Sequence, residues 1–319
     1  MESHPRRARK EPGNGGRKTV TVDPVRYFDR ATGEIREERI YGEAGLRWVC
    51  ETLPGRLALE VLVKRALFSR LYGWWMSRPA SRAKIEPFIC QYGIDPAEFA
   101  CPTDRFTSFN DFFSRKLNPA ARPIDPAENA VIFPADGRHL GFPDISALEA
   151  IYAKGQRLSL SELLGDSVLA ERYLSGSLVI SRLCPVDYHR FHFPLAGVAG
   201  TPRLINGPLY SVNPIALRRR IRILWENKRV ITPLRTETAG QVLLIEIGAT
   251  NVGSIIQTSK PGATVAKGDE KGCFAFGGSM TMTLFEPGRV TLDPSLVEQT
   301  RRGMESYARM GERLATTAG

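Results

Sequence analysis

The rhythm of apolar and polar positions changes partway along the chain. From about residue 105 the apolar residues fall in short runs that stop at Gly, Pro, Asn or Asp, as in "GSLVISRL", "QVLLIEIGATNVGSII" and "GCFAF". Runs of that length with those boundaries predict strands. Upstream, residues 43 to 94 read as mostly helical, with breaks at Pro54, Pro79 and Pro87. Before them, "YFDRATGEIREERIYG" predicts a short extended segment, and the closing "EQTRRGMESYARMGERLATTAG" predicts a weak helix with a frayed end. No fixed-period repeat is present. The pattern predicts an α+β protein with an N-terminal helical region packed on a β-rich body, mainly antiparallel and sandwich- or barrel-like. Its expected divisions are a disordered basic tail over 1–20, a helical region over 21–104 that is a candidate for membrane association, and a β-rich domain over 105–319.

The most apolar long window, "LALEVLVKRALFSRLYGWWM" at residues 57 to 76, carries Glu60, Lys64, Arg65 and Arg70. Four charges exclude a membrane-spanning helix. At about 100° per residue they also spread around the wheel, so no face is purely apolar. Two readings stay open. The helix is half buried against the body, or it lies in a membrane interface with basic residues at the headgroups and Trp74 and Trp75 as anchors.

Charge sharpens the question of partners. The 319 residues carry a formal charge of +10 and a pI near 9.6, with 42% hydrophobic residues, enough for a substantial core. Such an excess suits nucleic acid, a membrane surface or a phosphorylated substrate. One concentration is the tail, with Arg6, Arg7, Arg9, Lys10, Arg17 and Lys18; no apolar stretch of signal-peptide type follows it. The other is "RRRIRILWENKR", residues 218 to 229, a solvated face or a phosphate or membrane contact. Nucleic acid is excluded as the partner, because no recognition motif or interleaved aromatic platform accompanies either cluster. Five scattered cysteines without a CxxC pair read as reduced thiols in a cytosolic-type compartment.

Candidate chemistry centres on "GCFAFGGSMTMTLF", residues 272 to 285, where Gly277, Gly278 and Ser279 stand between two alternating apolar runs. A hairpin turn explains the glycines but assigns no purpose to the hydroxyl. Two of the four histidines, His189 and His192, lie in "PVDYHRFHFPLAG" behind Asp187. As metal ligands they would point to opposite faces of an extended segment, and no third ligand follows at a zinc-like spacing, so no metal is expected. In "IFPADGRHL", Asp136 is either a turn residue or a carboxylate that orients a histidine, which in turn takes a proton from a hydroxyl such as that of Ser279.

"FNDFFSRKLNPAARPI", "PADG", "DYHRFHFPLAG", "LYSVNP", "IGATNVGSI" and "GDEKGCFAFGGSM" occur in the order seen in phosphatidylserine decarboxylases, so residues 106 to 285 resemble that family. A looser likeness covers "YGWWMSRPASRAKIEPFICQYGID". The resemblance implies a proenzyme that cuts itself between Gly278 and Ser279 and converts Ser279 into a pyruvoyl group, its only cofactor. It implies that His192 is the base, Asp136 its orienting carboxylate with Asp187 in support, and His189 the proton donor in decarboxylation. It also implies phosphatidylserine as substrate, an anionic membrane surface as partner, large and small chains held together, a homodimer, and a peripheral place on the cytoplasmic face of a membrane. The strands "FAF" and "MTMTLF" on either side of the cut are expected to remain close neighbours.

The match departs at Met280, where the family commonly has Thr or Ser, which removes a hydroxyl beside the scissile bond. Two rivals remain. One is a pyruvoyl enzyme that decarboxylates a free amino acid or another aminoacyl lipid. The other is a carrier or binding module on a lipoyl- or biotinyl-like scaffold, which would need a lysine at the tip that Gly277 to Ser279 occupy.

Overall fold

A computed structural model describes residues 24–39, 48, 52, 54–55, 66–147, 158–217, 220–249, 255–277 and 279–318. The basic tail, most of residues 40–65, Arg218, Arg219 and Gly278 lie outside the described residues. Strands β1 (Arg26–Asp29) and β2 (Glu34–Glu37) form a hairpin, in keeping with the extended reading of this segment. Helices α1 (Ala66–Met76), α2 (Ile85–Tyr92) and α3 (Phe109–Phe113) follow. Ser108 caps α3 by accepting from the Asp111 amide, the usual device for an unsatisfied first turn.

The body then runs through β3 (Ala130–Ile132), β4 (Gly137–Phe142), β5 (Ser177–Leu183), β6 (Arg190–His192), β7 (Gly197–Ala199), β8 (Arg203–Ile205), β9 (Arg229–Arg235) and β10 (Gln241–Gly248). It closes with β11 (Ile255–Gln257), β12 (Thr264–Val265), β13 (Glu270–Phe274), β14 (Ser279–Phe285), β15 (Val290–Leu292), β16 (Glu305–Ala308) and β17 (Arg313–Thr317). Eleven strands make one large sheet in the order β12-β7-β9-β10-β14-β5-β4-β16-β1-β2, with β8 paired to β9. Two three-stranded sheets, β11-β13-β6 and β15-β17-β3, complete the body. Pairing is antiparallel except between β1 and β16, and no sheet closes into a barrel.

Alternation along β14 shows why the large sheet is a middle layer. Met280, Met282 and Leu284 point into one apolar cluster with Ile180, Ile245, Leu163, Leu164 and Trp225, on the side covered by short helices. Phe285 points the other way, with Val179 and Leu244, into a cluster that includes Val131 and Leu314 of the β15-β17-β3 sheet. A third cluster joins the N-terminal helices to the body through Met76, Phe88, Phe106, Phe109, Phe112, Phe113 and Phe276.

The expected terminal helix is corrected. Pro294–Arg301 is helical, but the chain then enters β16 and β17. "ESYA" and "RLATT", each bounded by glycine, carry aromatic and β-branched residues that fit a half-buried pleat better than a helix.

Candidate active site

Ser279 opens β14, opposite Leu183 of β5 and Gly248 of β10. It is 0% exposed, and its Oγ has no hydrogen-bond partner among the described residues. A buried hydroxyl without a partner is uncommon enough to call for an explanation. Just before it, Gly277 has φ of 142°, a conformation that a residue with a Cβ adopts only under strain. Gly278 lies outside the described residues, and with it the carbonyl of the expected cut.

The strands flanking this turn do not form a hairpin. β13 belongs to the β11-β13-β6 sheet and β14 to the large sheet, so the chain crosses between layers at Gly277. They remain neighbours by packing: Phe274 of β13 and Phe191 of β6 meet Leu183, the residue paired with Ser279. Gly272 makes this possible, since a Cβ there would lie 2.6 Å from the Phe191 ring and 2.2 Å from the Ile256 carbonyl oxygen.

Phe276 fixes the approach to the serine. Its ring meets Phe113 and Phe109 edge-on at 4.8 and 5.0 Å and Tyr72 in a stacked arrangement at 5.8 Å. Its amide donates to Asn110 Oδ1 at 2.8 Å. Helices α1 and α3 therefore hold the turn from outside the body.

The two motif histidines have different surroundings. His189 is fully buried, its ring 3.9 Å from that of Phe113. Its Nδ1–H donates to the Asp187 carbonyl at 2.9 Å, so the lone pair lies on Nε2, which has no partner. Burial pushes this imidazole down to about 3, so it stays neutral at pH 7. His192 donates from Nδ1 to the Gly268 carbonyl at 2.9 Å and accepts the Tyr188 hydroxyl at Nε2, 3.3 Å away. Burial lowers its pKa as well.

Neither expected carboxylate reaches His192 by a hydrogen bond. Asp136 takes Arg122 Nε at 2.9 Å, Arg122 Nη2 at 2.6 Å and the Met310 amide at 2.8 Å. Asp187 takes Arg138 and the Cys184 amide. The backbone of Asp187 nevertheless orients His189, so Arg138 steadies that histidine at one remove. Arg122, Tyr188, Asn110 and Phe113 all stand inside the sequence motifs, but nothing local to those motifs reveals their partners.

Two further polar features adjoin the serine. Thr281, also buried and with an unpartnered hydroxyl, lies on the Ser279 face of β14 opposite Glu246. Glu246 Oε2 accepts Lys271 Nζ and Gln257 Nε2, both at 2.8 Å. Among the described residues, no group of three or more His, Cys, Asp or Glu is placed to hold a metal ion. In the described part of the basic run, Arg220 and Arg222 pair with Glu226, and Arg229 is buried against the carbonyls of Leu163 and Asn227.

Fold and site together define a β-rich body built around a buried serine that opens its central strand, with a neutral histidine packed on Phe113, the ring that also meets Phe276 of the serine's turn. A family model described as phosphatidylserine decarboxylase matches residues 109–316. A phosphatidylserine decarboxylase proenzyme from Chlamydia trachomatis serovar L2 is 46% identical over 288 residues, 90% of this chain and 96% of the relative. One of the same description from Desulfitobacterium hafniense is 43% identical over 290 residues, 91% and 97% of the two chains. The chain belongs to the phosphatidylserine decarboxylase family. A carrier module does not fit that membership.

Proposed function

We propose that the chain cuts itself between Gly278 and Ser279, converts Ser279 into a pyruvoyl group, and decarboxylates phosphatidylserine to phosphatidylethanolamine and CO2 at an anionic membrane surface. The observation that carries this reading is the fully buried, unpartnered Ser279 hydroxyl at the end of a glycine turn. In the first step Ser279 Oγ bonds to the Gly278 carbonyl carbon, the C–N bond breaks, and the hydroxyl proton passes through a base to the released nitrogen. Removal of the Ser279 Cα proton then expels the Gly278 carboxylate, and one water replaces the nitrogen, which leaves as ammonia. A pyruvoyl group at this position supplies the electron sink for loss of CO2 from a bound amine.

For the base, the geometry favours His189, whose Nε2 lone pair is free, over His192, whose lone pair is engaged by Tyr188. Asp136 then serves through Arg122 and the Met310 amide, tying the segment before β4 to the chain after the cut. Cleavage would leave a 41-residue fragment. Its strand β14 is bonded on both sides by β5 and β10, and Asp293 and Arg313 pair with Arg30 and Asp125 across the two pieces, which supports their staying together.

The membrane reading rests on α1. Trp74 and Trp75 are 59% and 47% exposed and Leu71 is exposed beside them, with Arg78 over the Trp74 ring at 4.1 Å and Lys84 over the Trp75 ring at 4.8 Å. Exposed indoles flanked by cations suit an anionic interface. Tyr72 and Met76 of the same helix pack on the Phe276 cluster, so lipid contact lies next to the catalytic turn. No helix among the described residues is long and apolar enough to cross a membrane.

The test is intact mass under denaturing conditions for the wild type, Ser279→Ala, His189→Gln and His192→Gln, followed by CO2 release from phosphatidylserine vesicles and from free serine. Two chains in the wild type, one in Ser279→Ala and His189→Gln, and CO2 from vesicles alone are expected. An uncut wild type refutes the processing, and CO2 from serine alone refutes the lipid substrate. A His192→Gln chain that stays whole beside a cut His189→Gln returns the base to His192.

A further inference from the structure

Ser279 is not the only hydroxyl left without a partner on its side of β14. Thr281 shares that face, two residues on, and its Oγ1 is buried and unpartnered. Met280, between them, points into the apolar cluster on the opposite face. The one hydroxyl that this strand can offer beside the serine therefore comes from Thr281.

The row across the sheet is polar at Thr281 and at its neighbours on both flanking strands. On one flank is Ser181, whose proton goes to His139 Nδ1 at 2.8 Å, because His139 Nε2–H donates to the Ala308 carbonyl. Ser181 Oγ is left as an acceptor. On the other flank is Glu246, whose charge is balanced by Lys271. Residues two apart on a strand lie about 6.6 Å apart at Cα, and one water joining two hydrogen bonds of about 2.8 Å spans about 4.5–5.5 Å, so the bridge forms where the Ser279 and Thr281 hydroxyls lean toward each other. Such a water has hydroxyl and carboxylate partners on several sides, as a buried water requires.

We propose that Thr281 is a positioning residue for self-cleavage: through one buried water its hydroxyl holds the Ser279 oxygen and leaves the Ser279 proton for the histidine. Thr281 donates to the water, and the water donates to Ser279 Oγ and to Ser181 Oγ or Glu246. No atom of Thr281 enters the bond changes. The proposal rests on the self-cleavage reading above and deepens it.

The test uses the full chain made by cell-free synthesis, with conversion to two fragments timed on denaturing gels between pH 6 and 9. Thr281→Val keeps the shape and removes the hydroxyl; Thr281→Ser keeps the hydroxyl. Thr281→Val should slow cleavage at least tenfold at every pH, and Thr281→Ser should stay within threefold of wild type. The Ser279→Ala chain and Ser279→Ala/Thr281→Val should melt at the same temperature. A Thr281→Val rate within twofold of wild type, a Thr281→Ser chain as slow as Thr281→Val, or a lower melting temperature in the double variant overturns the proposal. A wild type that stays whole overturns the self-cleavage reading and this one with it, whereas a cut wild type beside an unaffected Thr281→Val overturns this one alone.

Discussion

Replacing Phe276 by leucine separates holding the fold from holding the reactive turn. The side chain is 2% exposed and meets Phe109 and Phe113 edge-on. Leucine keeps the site apolar and nearly filled but loses both edge-to-face contacts. Each such contact contributes roughly 0.5–1.5 kcal/mol beyond burial, so the pair removes roughly 1–3 kcal/mol. If that energy holds residues 276–279 in the geometry for attack, it enters the activation barrier, and at roughly 1.4 kcal/mol per tenfold, cleavage slows about 5- to 150-fold. Asn110→Ala, which removes the acceptor at 2.8 Å from the Phe276 amide, should act in the same direction at a comparable magnitude. The assay is the first-order conversion of newly made full-length chain into two fragments, beside thermal melting of the same substitutions in a Ser279→Ala background. A Phe276→Leu chain that melts lower yet cuts at the wild-type rate refutes the reasoning, because the aromatic cluster would then support the fold without setting the geometry of the turn.

Further outcomes follow from the same structure. His189 sits near 3 rather than 6.5, so it remains a base in mild acid; the cleavage rate should be flat from pH 5 to 8, and a fall centred near 6.5 would contradict its assignment. His139 and His189 are both held down by burial, so between about pH 3 and 6.5 the unfolded chain binds protons that the folded chain does not. Their contribution is complete above 6.5 and declines on acidification, by up to roughly 4 kcal/mol in total at pH 5, read as a lower urea midpoint for Ser279→Ala. Glu246→Leu alone strands the Lys271 ammonium and should cost about 3–5 kcal/mol, whereas Glu246→Leu with Lys271→Met should recover most of it, measured by urea unfolding. Trp74→Ser with Trp75→Ser should weaken sedimentation with anionic vesicles at least tenfold and leave self-cleavage unchanged; unchanged sedimentation would move the membrane contact elsewhere.

Much of the body was legible because its signals are local. The alternation in "SMTMTLF" marks a strand with one apolar and one polar face, and β14 has Met280, Met282 and Leu284 on one side and Ser279, Thr281 and Thr283 on the other. The serine, both histidines and the glycine turn were likewise readable as residue types in order. Partners were not. Asp136 lies 14 positions from Arg122 and 174 from Met310, distances that no local periodicity encodes. The expectation that Asp136 or Asp187 holds His192 followed from motif order alone, and packing instead gave that ring to Gly268 and Tyr188. The terminal strands were missed for a similar reason: β16 is short and gains its stability by lying between β4 and β1, the latter a parallel pairing that joins opposite ends of the chain. Exposed indoles in the 57 to 76 window could be seen as anchors or as core, and only the placement of Tyr72 and Met76 against Phe276 assigns the two sides of that helix.

The position of β16 bears on the timing of the proposed self-cleavage. It occupies the gap between β4 and β1, and β17 pairs with β3 in a separate three-stranded sheet, yet both follow Ser279 in the chain. A nascent chain that has already emerged past Ser279 still lacks the Met310 amide that holds Asp136 and the Glu305 carboxylate that pairs with Arg182. The buried setting of the serine therefore depends on strands that follow it in the chain. On the proposed self-cleavage, a copy shortened before β16 should stay whole, because its Asp136 would lack the Met310 amide.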